Sequence, residues 1–261
     1  MAVAAGTLPA SRVYVRMREP TGVDELFMLE STGPPRRTMC ELSGRVVSDA
    51  AGEPLVWDDL PAVDLAAAAL FIRSVWLGGK IRAEARCSAQ DCGGRIDIAF
   101  TIDAYLDHRR PRVFRGVSKN GDWFDLSGAG VRFKVPTVAN LEAAAGNGIA
   151  VAVADALATS CVSPSPPGAA ARRRVERALQ ALAPPLDGMV AGVCPICDAE
   201  VRLWFAPVDF VVDELRDASA DLFDDVHELA CAYHWSEHEI LRLDRRRRRA
   251  YVELVRAELV A

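Results

Sequence analysis

Two cysteine-containing segments decide the expected fold of this chain: GKIRAEARCSAQDCGGRIDIAF (residues 79–100) and DGMVAGVCPICDAEVRLWF (residues 187–205). Each has the pattern of a strand, a tight turn bounded by two cysteines, and a second strand, which predicts a β-hairpin. Beyond the second cysteine the apolar positions agree as well. The matched pairs are Ile96 with Val201, Ile98 with Leu203, and Phe100 with Phe205. The sequence therefore predicts two equivalent hairpins.

A second pair of matching segments lies upstream of the hairpins. VRMREPT (residues 15–21) and VRFKVPT (residues 131–137) share Val, Arg, Pro and Thr at the same relative positions, 116 residues apart. Each Thr is followed three residues later by Asp24 or Asn140. A Thr in this position can cap the free N–H groups of a helix that starts at the next residue.

Both halves of the chain then show the same order of helical patterns before their hairpin. The expected helices cover about 22–30, 37–47 and 61–79 in the first half, and 138–146, 150–161 and 171–183 in the second. We therefore expect an α+β, mostly helical fold made of two pseudo-repeats, each with three helices and a cysteine-bearing hairpin. The predicted units are a first repeat at 1–115, a second at 116–207, and a C-terminal helical tail at 208–261.

The cysteine spacing points to a shared metal site. Cys87 and Cys92 (C-x4-C) form one pair, and Cys194 and Cys197 (C-x2-C) form the other. Each pair supplies half of a tetrahedral zinc site, so the two hairpins together predict one four-cysteine zinc ribbon per chain, with no open position for catalysis. The alternatives are ordinary thiols in two hairpins, or a redox C-x-x-C, which would be expected at a helix N-terminus instead.

Composition and motifs narrow the classes of function. The net charge of −5 provides no overall attraction to nucleic acid or anionic membranes. No secretory signal and no apolar run of about 20 residues is evident, so we expect a cytoplasmic protein without a membrane span. A P-loop, a dinucleotide-binding glycine run and a G-x-S-x-G motif are all lacking, and we therefore expect a protein that is not an enzyme and has no small-molecule substrate.

The tail beyond residue 208 has no counterpart in the first half. Its pattern predicts a long amphipathic helix that ends at Tyr233, followed by a short helix with a capping box formed by Ser236 and Glu239. Trp235 and Ile240 are placed to form a hydrophobic staple around that cap. A final helix should start after Asp244, with an inner face formed by Tyr251, Leu254 and Val255.

The stretch DVHELACAYHWSEHEILRLDRRRRRAYVELV (residues 225–255) closely resembles the C-terminal signature of the baseplate hub assembly chaperone family of contractile-tailed phages and related injection particles. The matching elements are Asp-Val-His, Leu-Ala, Tyr-x-Trp-x-Glu-x-x-Ile-x-x-Leu, Arg-Arg and Tyr. CPIC, WFAPVDF and the two Pro-Thr stretches are also similar to the family. Three positions depart from its usual residues: His234 replaces a small residue, Asn140 an Asp, and Asp198 a Gly.

This resemblance implies a role in building a tail baseplate hub, as a chaperone or as a minor component. The implied partners are hub or spike proteins, and the implied location is the bacterial cytoplasm, with the assembled particle as a second one. The candidate partner-binding residues are Trp235, Ile240, Arg245, Arg246 and Tyr251, although the apolar ones fit equally well in the core of the tail. A zinc-ribbon regulator that binds nucleic acid through Arg245 to Arg249 is the alternative function.

Overall fold

The structure is a computed structural model that describes residues 2–89, 91–145 and 150–260. It is α+β, with helices that predominate over small antiparallel sheets, as the sequence predicts. The last residue of the expected helix at 138–146, Gly146, lies outside the described residues. The other predicted helices of the two halves are present, with ends that differ from the expected ones by at most two residues.

The first half begins with a three-stranded antiparallel sheet and three helices. The elements are β1 (Ala2–Thr7), β2 (Tyr14–Arg18), α1 (Gly22–Glu30), α2 (Pro35–Val46), β3 (Val47–Asp49), a 3-10 turn (Trp57–Asp59), α3 (Ala62–Leu77), β4 (Lys80–Arg86), β5 (Arg95–Thr101) and α4 (Ile102–His108). β1, β2 and β3 form one sheet, and β4 and β5 form the first hairpin. Gly78 ends α3 with φ of +90°, a conformation that glycine adopts without a steric penalty.

The second half repeats this order after a further hairpin. Its elements are β6 (Val117–Asn120), β7 (Trp123–Leu126), β8 (Val131–Phe133), α5 (Val138–Ala145), α6 (Ala150–Cys161), β9 (Val162–Ser163), α7 (Ala169–Leu182), β10 (Gly188–Val193) and β11 (Glu200–Phe205). β6 to β9 form a four-stranded antiparallel sheet, and β10 and β11 form the second hairpin.

The two halves also agree in details of pairing and capping. The strand before each Pro-Thr pairs with the strand after the second helix: Met17 lies opposite Val47, and Phe133 opposite Val162. The Thr21 N–H donates to the Asp24 carboxylate at 2.8 Å. In the same way, the Thr137 N–H donates to the side-chain oxygen of Asn140 at 3.2 Å. Asn140 thus performs the capping role that Asp24 has in the first half.

The principal core is formed mainly by the first half, with part of the tail and a few residues of the second half. Helix α3 is nearly surrounded, since Leu65, Leu70 and Ile72 have at most 1% of their surface exposed. The first tail helix, α8 (Pro207–Ser219), buries Val211 and Leu215 in this same core. The predicted boundary at residue 208 therefore does not coincide with a boundary of the core.

The rest of the tail forms a separate small cluster. It contains α9 (Leu222–Tyr233), α10 (Glu237–Leu241) and α11 (Arg245–Val260). The prediction of one long helix ending at Tyr233 was wrong, because the helix is interrupted between Ser219 and Leu222. The break lets α8 bury its apolar face in the principal core while α9 packs against α11, which one straight helix could not do.

Candidate metal centre

The two hairpins hold their cysteines by the same backbone geometry. The Cys87 N–H donates to the Gly94 carbonyl at 2.8 Å, and the Cys194 N–H donates to the Ala199 carbonyl at 2.9 Å. In each case the acceptor is the second residue after the second cysteine of the pair. The two turns are thus closed alike, although one has four residues between its cysteines and the other has two.

The residue directly after each pair is in the left-handed conformation. Gly93 has φ of +56° and Asp198 has φ of +57°. Asp tolerates this region better than most residues with a side chain, but glycine adopts it at lower cost. Asp198 thus occupies the same backbone conformation in its turn as Gly93 does in the other.

The four cysteine sulfurs lie in one group. The Sγ atoms of Cys87 and Cys197 are 3.7 Å apart, those of Cys92 and Cys194 are 3.8 Å apart, and all four lie within 4.8 Å of one another. A tetrahedron of sulfurs around zinc, with Zn–S of about 2.3 Å, has edges of about 3.8 Å. The predicted ligand set is therefore brought together, and its spacing fits a metal ion at the centre.

The surroundings of the site are apolar on one side and open on the other. Cys87 and Cys194 are buried, Cys92 is half-buried and Cys197 is exposed. Ile96 and Val201, which occupy equivalent positions in the two hairpins, are buried next to the sulfurs. Gly94 also lies close to the opposite turn, because a Cβ atom added there would be 2.4 Å from Ile196 Cδ1. Contacts between the hairpins thus help to orient the sulfurs.

The electrostatics of the site favour a cation. Hydrogen bonding from the backbone N–H of Ile196, and then from that of Cys197, lowers the pKa of the Cys194 thiol to about 7. By contrast, the pKa values of Cys87 and Cys197 are raised, because burial and neighbouring sulfurs outweigh the N–H groups of Ala89 and Ala199. Four thiolates this close repel one another, and a bound divalent cation would remove that penalty by holding all of them deprotonated.

What this arrangement can do chemically follows from its ligand count. Four sulfurs fill a tetrahedral coordination sphere, so a metal ion held here has no open position for water or substrate. The Cys194–Cys197 pair lies in a turn between strands rather than at a helix N-terminus, where redox pairs are expected. The site is thus suited to hold the two hairpins together.

The predicted partner-binding residues of the tail are mostly involved in its own packing. Ile240 is fully buried, so in this conformation it cannot contact a partner, and that assignment is corrected. Trp235 stacks on Tyr233, with ring centroids 5.0 Å apart, and meets Tyr251 edge-on at 5.0 Å. Ser236 caps α10 as predicted, and its backbone N–H donates to Glu239 at 2.9 Å.

The final helix also differs from the prediction in one position. Asp244 caps α11 as expected, since its carboxylate accepts from the Arg247 N–H at 2.8 Å. Val252 and Val255 are buried, whereas Leu254 is 56% exposed. The inner face therefore contains Val252, two positions earlier in the chain, in place of Leu254.

The arginine run at 245–249 is not a continuous cationic surface. Arg246, Arg247 and Arg249 are exposed, but Arg248 is only 1% exposed. Its Nη2 donates to Glu25 at 2.6 Å and its Nε to Asp225 at 3.1 Å.

This buried triad joins α11 to both α1 and α9. Sequence reasoning missed it, because Glu25 is 223 residues away from Arg248 and no local pattern indicates that they meet. Asp225 and Arg248 both lie within residues 225–255, so this stretch contributes to the packing of the tail on α1.

Comparison with protein-family models, with curated proteins and with solved structures finds no match to this chain. Within the described residues, every helix is too short or too polar to cross a membrane.

Proposed function

We propose that this protein is a non-enzymatic assembly factor or minor component of a contractile phage-tail-like baseplate hub, with one structural zinc ion per chain. The observation that carries the proposal is the four-sulfur cluster, which joins residues 102 and 110 positions apart in sequence. A closed site of this kind supports a rigid binding platform rather than catalysis. The baseplate assignment itself comes from the resemblance at residues 225–255.

Zinc is the metal that best suits this ligand set. Thiolates are soft ligands, and four of them in tetrahedral geometry favour zinc or iron over hard oxygen-seeking cations such as magnesium and calcium. Cysteine pairs in turns between strands are typical of structural zinc sites. Binding of zinc by such sites can provide about 10 kcal/mol of folding free energy, so the two hairpins should lose their packing when the metal is removed.

Metal analysis tests the shared site directly. We expect one zinc per chain in the purified protein, and its loss in both Cys87→Ser and Cys194→Ser. Cys231→Ser is a matched control, because Cys231 is exposed and lies outside the cluster. Two zinc ions per chain, or full binding after the loss of one pair, would contradict a shared site.

The metal-clamped second hairpin presents the apolar surface that we propose for partner binding. Met189 and Trp204 lie directly opposite each other on β10 and β11, and they are 49% and 67% exposed. Tryptophan is enriched among residues that dominate binding energy at protein interfaces. An exposed Trp on a clamped hairpin can bury much apolar area without first having to become ordered.

Co-expression with hub and spike proteins encoded beside the gene tests the assembly role. We expect a complex that stays together in size-exclusion chromatography, and at least tenfold weaker binding in Trp204→Ala. Phe223→Ala is the control, since Phe223 is also an exposed aromatic residue, 56% exposed, but lies on α9. If none of these proteins associates with the chain, the proposed function is wrong. If they associate and both variants bind equally, only the assignment of the surface is wrong.

A zinc-ribbon regulator that binds nucleic acid through the arginine run is the second candidate, but it has less support. Arg248 is occupied by Glu25 and Asp225 inside the protein, and Arg249 pairs with Asp221. Specific phosphate contacts by the remaining arginines would make affinity for DNA or RNA fall steeply with salt. Tight, salt-sensitive binding that Arg246→Gln and Arg247→Gln abolish would favour this candidate over the assembly role.

A further inference from the structure

A basic cavity lies next to Pro184 and Pro185, the residues that lead into the second hairpin. It has a volume of about 490 Å³ and lies where the end of α4 meets the end of α7. The segment after α4 is held there, because the Arg112 N–H donates to the Ala181 carbonyl of α7. The two sides of the cavity thus come from the first and second halves of the chain.

The charge of this cavity is entirely positive. Among the residues that the structure describes, its lining contains His108, Arg109, Arg110, Arg112 and Arg177, and no carboxylate. The segment at 108–112 (HRRPR) provides four of these five basic residues, and α7 brings Arg177 to the same place. The net charge of −5 for the whole chain does not reveal this local basic site, because acidic residues outnumber basic ones overall.

Two of the four arginines are used to build the cavity. Arg109 lies over the Tyr105 ring at 4.7 Å and donates to the Pro185 carbonyl at 2.8 Å. Its Nε is buried and has no hydrogen-bond partner within the described structure. Arg110 pairs with Asp107 at 2.6 Å, outside the lining. These contacts fix the floor of the cavity and leave one buried donor unsatisfied.

The other two arginines have no acidic partner. Arg112 and Arg177 are both exposed, and neither forms an ion pair with any residue of the described ranges, although the Nε of Arg177 donates to the Arg173 carbonyl at 3.3 Å. Like charges gathered in one concavity repel one another, and the side chains remain there at a cost that a bound anion would remove. Guanidinium groups also present paired N–H donors that match the oxygens of a tetrahedral anion.

We propose that this cavity is a binding site for phosphate groups, with Arg112 and Arg177 as the direct contacts and Arg109 as a positioning residue. A ligand that neutralises several arginines around one small cavity must carry several negative charges close together. A chain of linked phosphates provides that density, whereas an acidic peptide spreads its carboxylates by about 3.3 Å per residue along the backbone. The phosphates can belong to a free oligophosphate or to the backbone of a nucleic acid. This proposal goes beyond the assembly role and does not depend on it.

Isothermal titration of the full, zinc-loaded chain with inorganic tripolyphosphate tests the site. We expect one tripolyphosphate per chain, and at least tenfold weaker binding in the double variant Arg112→Gln/Arg177→Gln. The charge-matched control is Arg173→Gln/Arg242→Gln, since both of these arginines are exposed and lie outside the cavity. The control should bind within about twofold of the unaltered protein. Zinc content is measured before and after each titration, because oligophosphates also bind metal ions.

Two further titrations identify the source of the phosphate. A 12-nucleotide single-stranded DNA that binds more tightly than tripolyphosphate, and loses that binding in the double variant, would assign the site to a nucleic-acid backbone. Weaker binding of the DNA would assign it to a free oligophosphate. The proposal is overturned if tripolyphosphate does not bind, if the control variant loses as much affinity as the double variant, or if a poly-glutamate peptide binds as tightly as tripolyphosphate.

Discussion

Replacement of Arg248 by Met should destabilise the protein strongly. The Arg248 side chain is 1% exposed, and it pairs with Glu25 and Asp225, which are 2% and 6% exposed. Met retains most of the apolar volume but provides no hydrogen-bond donor. Two carboxylates would then remain buried without their cation. Removal of one partner from a buried ion pair typically costs about 3–5 kcal/mol of unfolding free energy.

The free-energy cost of leaving Glu25 without Arg248 can be worked out from the cost of protonating its carboxyl. Burial already raises the pKa of Glu25 above its ordinary value of 4.5, and the charges of Arg248 and Arg245 oppose that effect. Without Arg248 the carboxyl can avoid an unpaired charge by taking up a proton. At pH 7 that proton costs about 3.4 kcal/mol, which is 2.5 pH units at about 1.36 kcal/mol each. The two estimates agree, and we expect a loss of about 3–5 kcal/mol at pH 7.

The loss of unfolding free energy caused by Arg248→Met should become smaller at lower pH. A carboxyl whose pKa is raised on folding binds more protons in the folded state than in the unfolded state, so stability increases as the pH falls toward the unfolded value. At pH 5 the same protonation of Glu25 costs only about 0.7 kcal/mol. Arg248→Met should therefore regain about 2–3 kcal/mol relative to the unaltered protein between pH 7 and pH 5.

Urea unfolding, followed by tryptophan fluorescence at both pH values, measures this change. Arg246→Met is the matched control, because Arg246 is an exposed neighbour on the same helix, and its unfolding free energy should change by less than about 0.5 kcal/mol. Adding Glu25→Gln to Arg248→Met should recover part of the loss at pH 7. A loss below about 1 kcal/mol at pH 7, or one that is no smaller at pH 5, would refute the role of the triad.

Three further changes test local features of the fold. Asp198→Gly should raise the unfolding free energy by about 0.5–1 kcal/mol, since φ of +57° suits glycine; a lower melting temperature would contradict this. Ser236→Ala should cost about 1 kcal/mol in urea unfolding, because it removes the cap of α10. Ile240→Ala should cost about 2–5 kcal/mol, because Ile240 is fully buried in the tail cluster; a loss below about 1 kcal/mol would contradict this.

Features that depend on residues close together in the sequence were predictable. The hairpins, the Pro-Thr caps at Thr21 and Thr137, and the Ser236 cap are each set by residues within a few positions of one another, so local backbone preferences are sufficient to indicate them. The cluster of four cysteines was predictable for a different reason: two cysteine pairs at matching places in two similar halves are most simply completed by each other. Leu254 was placed wrongly because the face of α11 that packs in the tail is set by tertiary contacts, which bury Val252 and Val255 instead.

By itself, the sequence determined the α+β class, the three helices and the cysteine hairpin of each half, and the four cysteines that come together, because each depends on periodicity, capping or spacing. Only the tertiary structure decided which charges are buried and which are gathered at the surface. Arg248 meets Glu25 across 223 residues, and Arg112 meets the end of α7 across about 70 residues. Such long-range contacts depend on how helices pack around a shared core, and a local sequence pattern carries no information about them. The same arginine-rich composition thus provides a buried clamp in one place and an open cationic cavity in another.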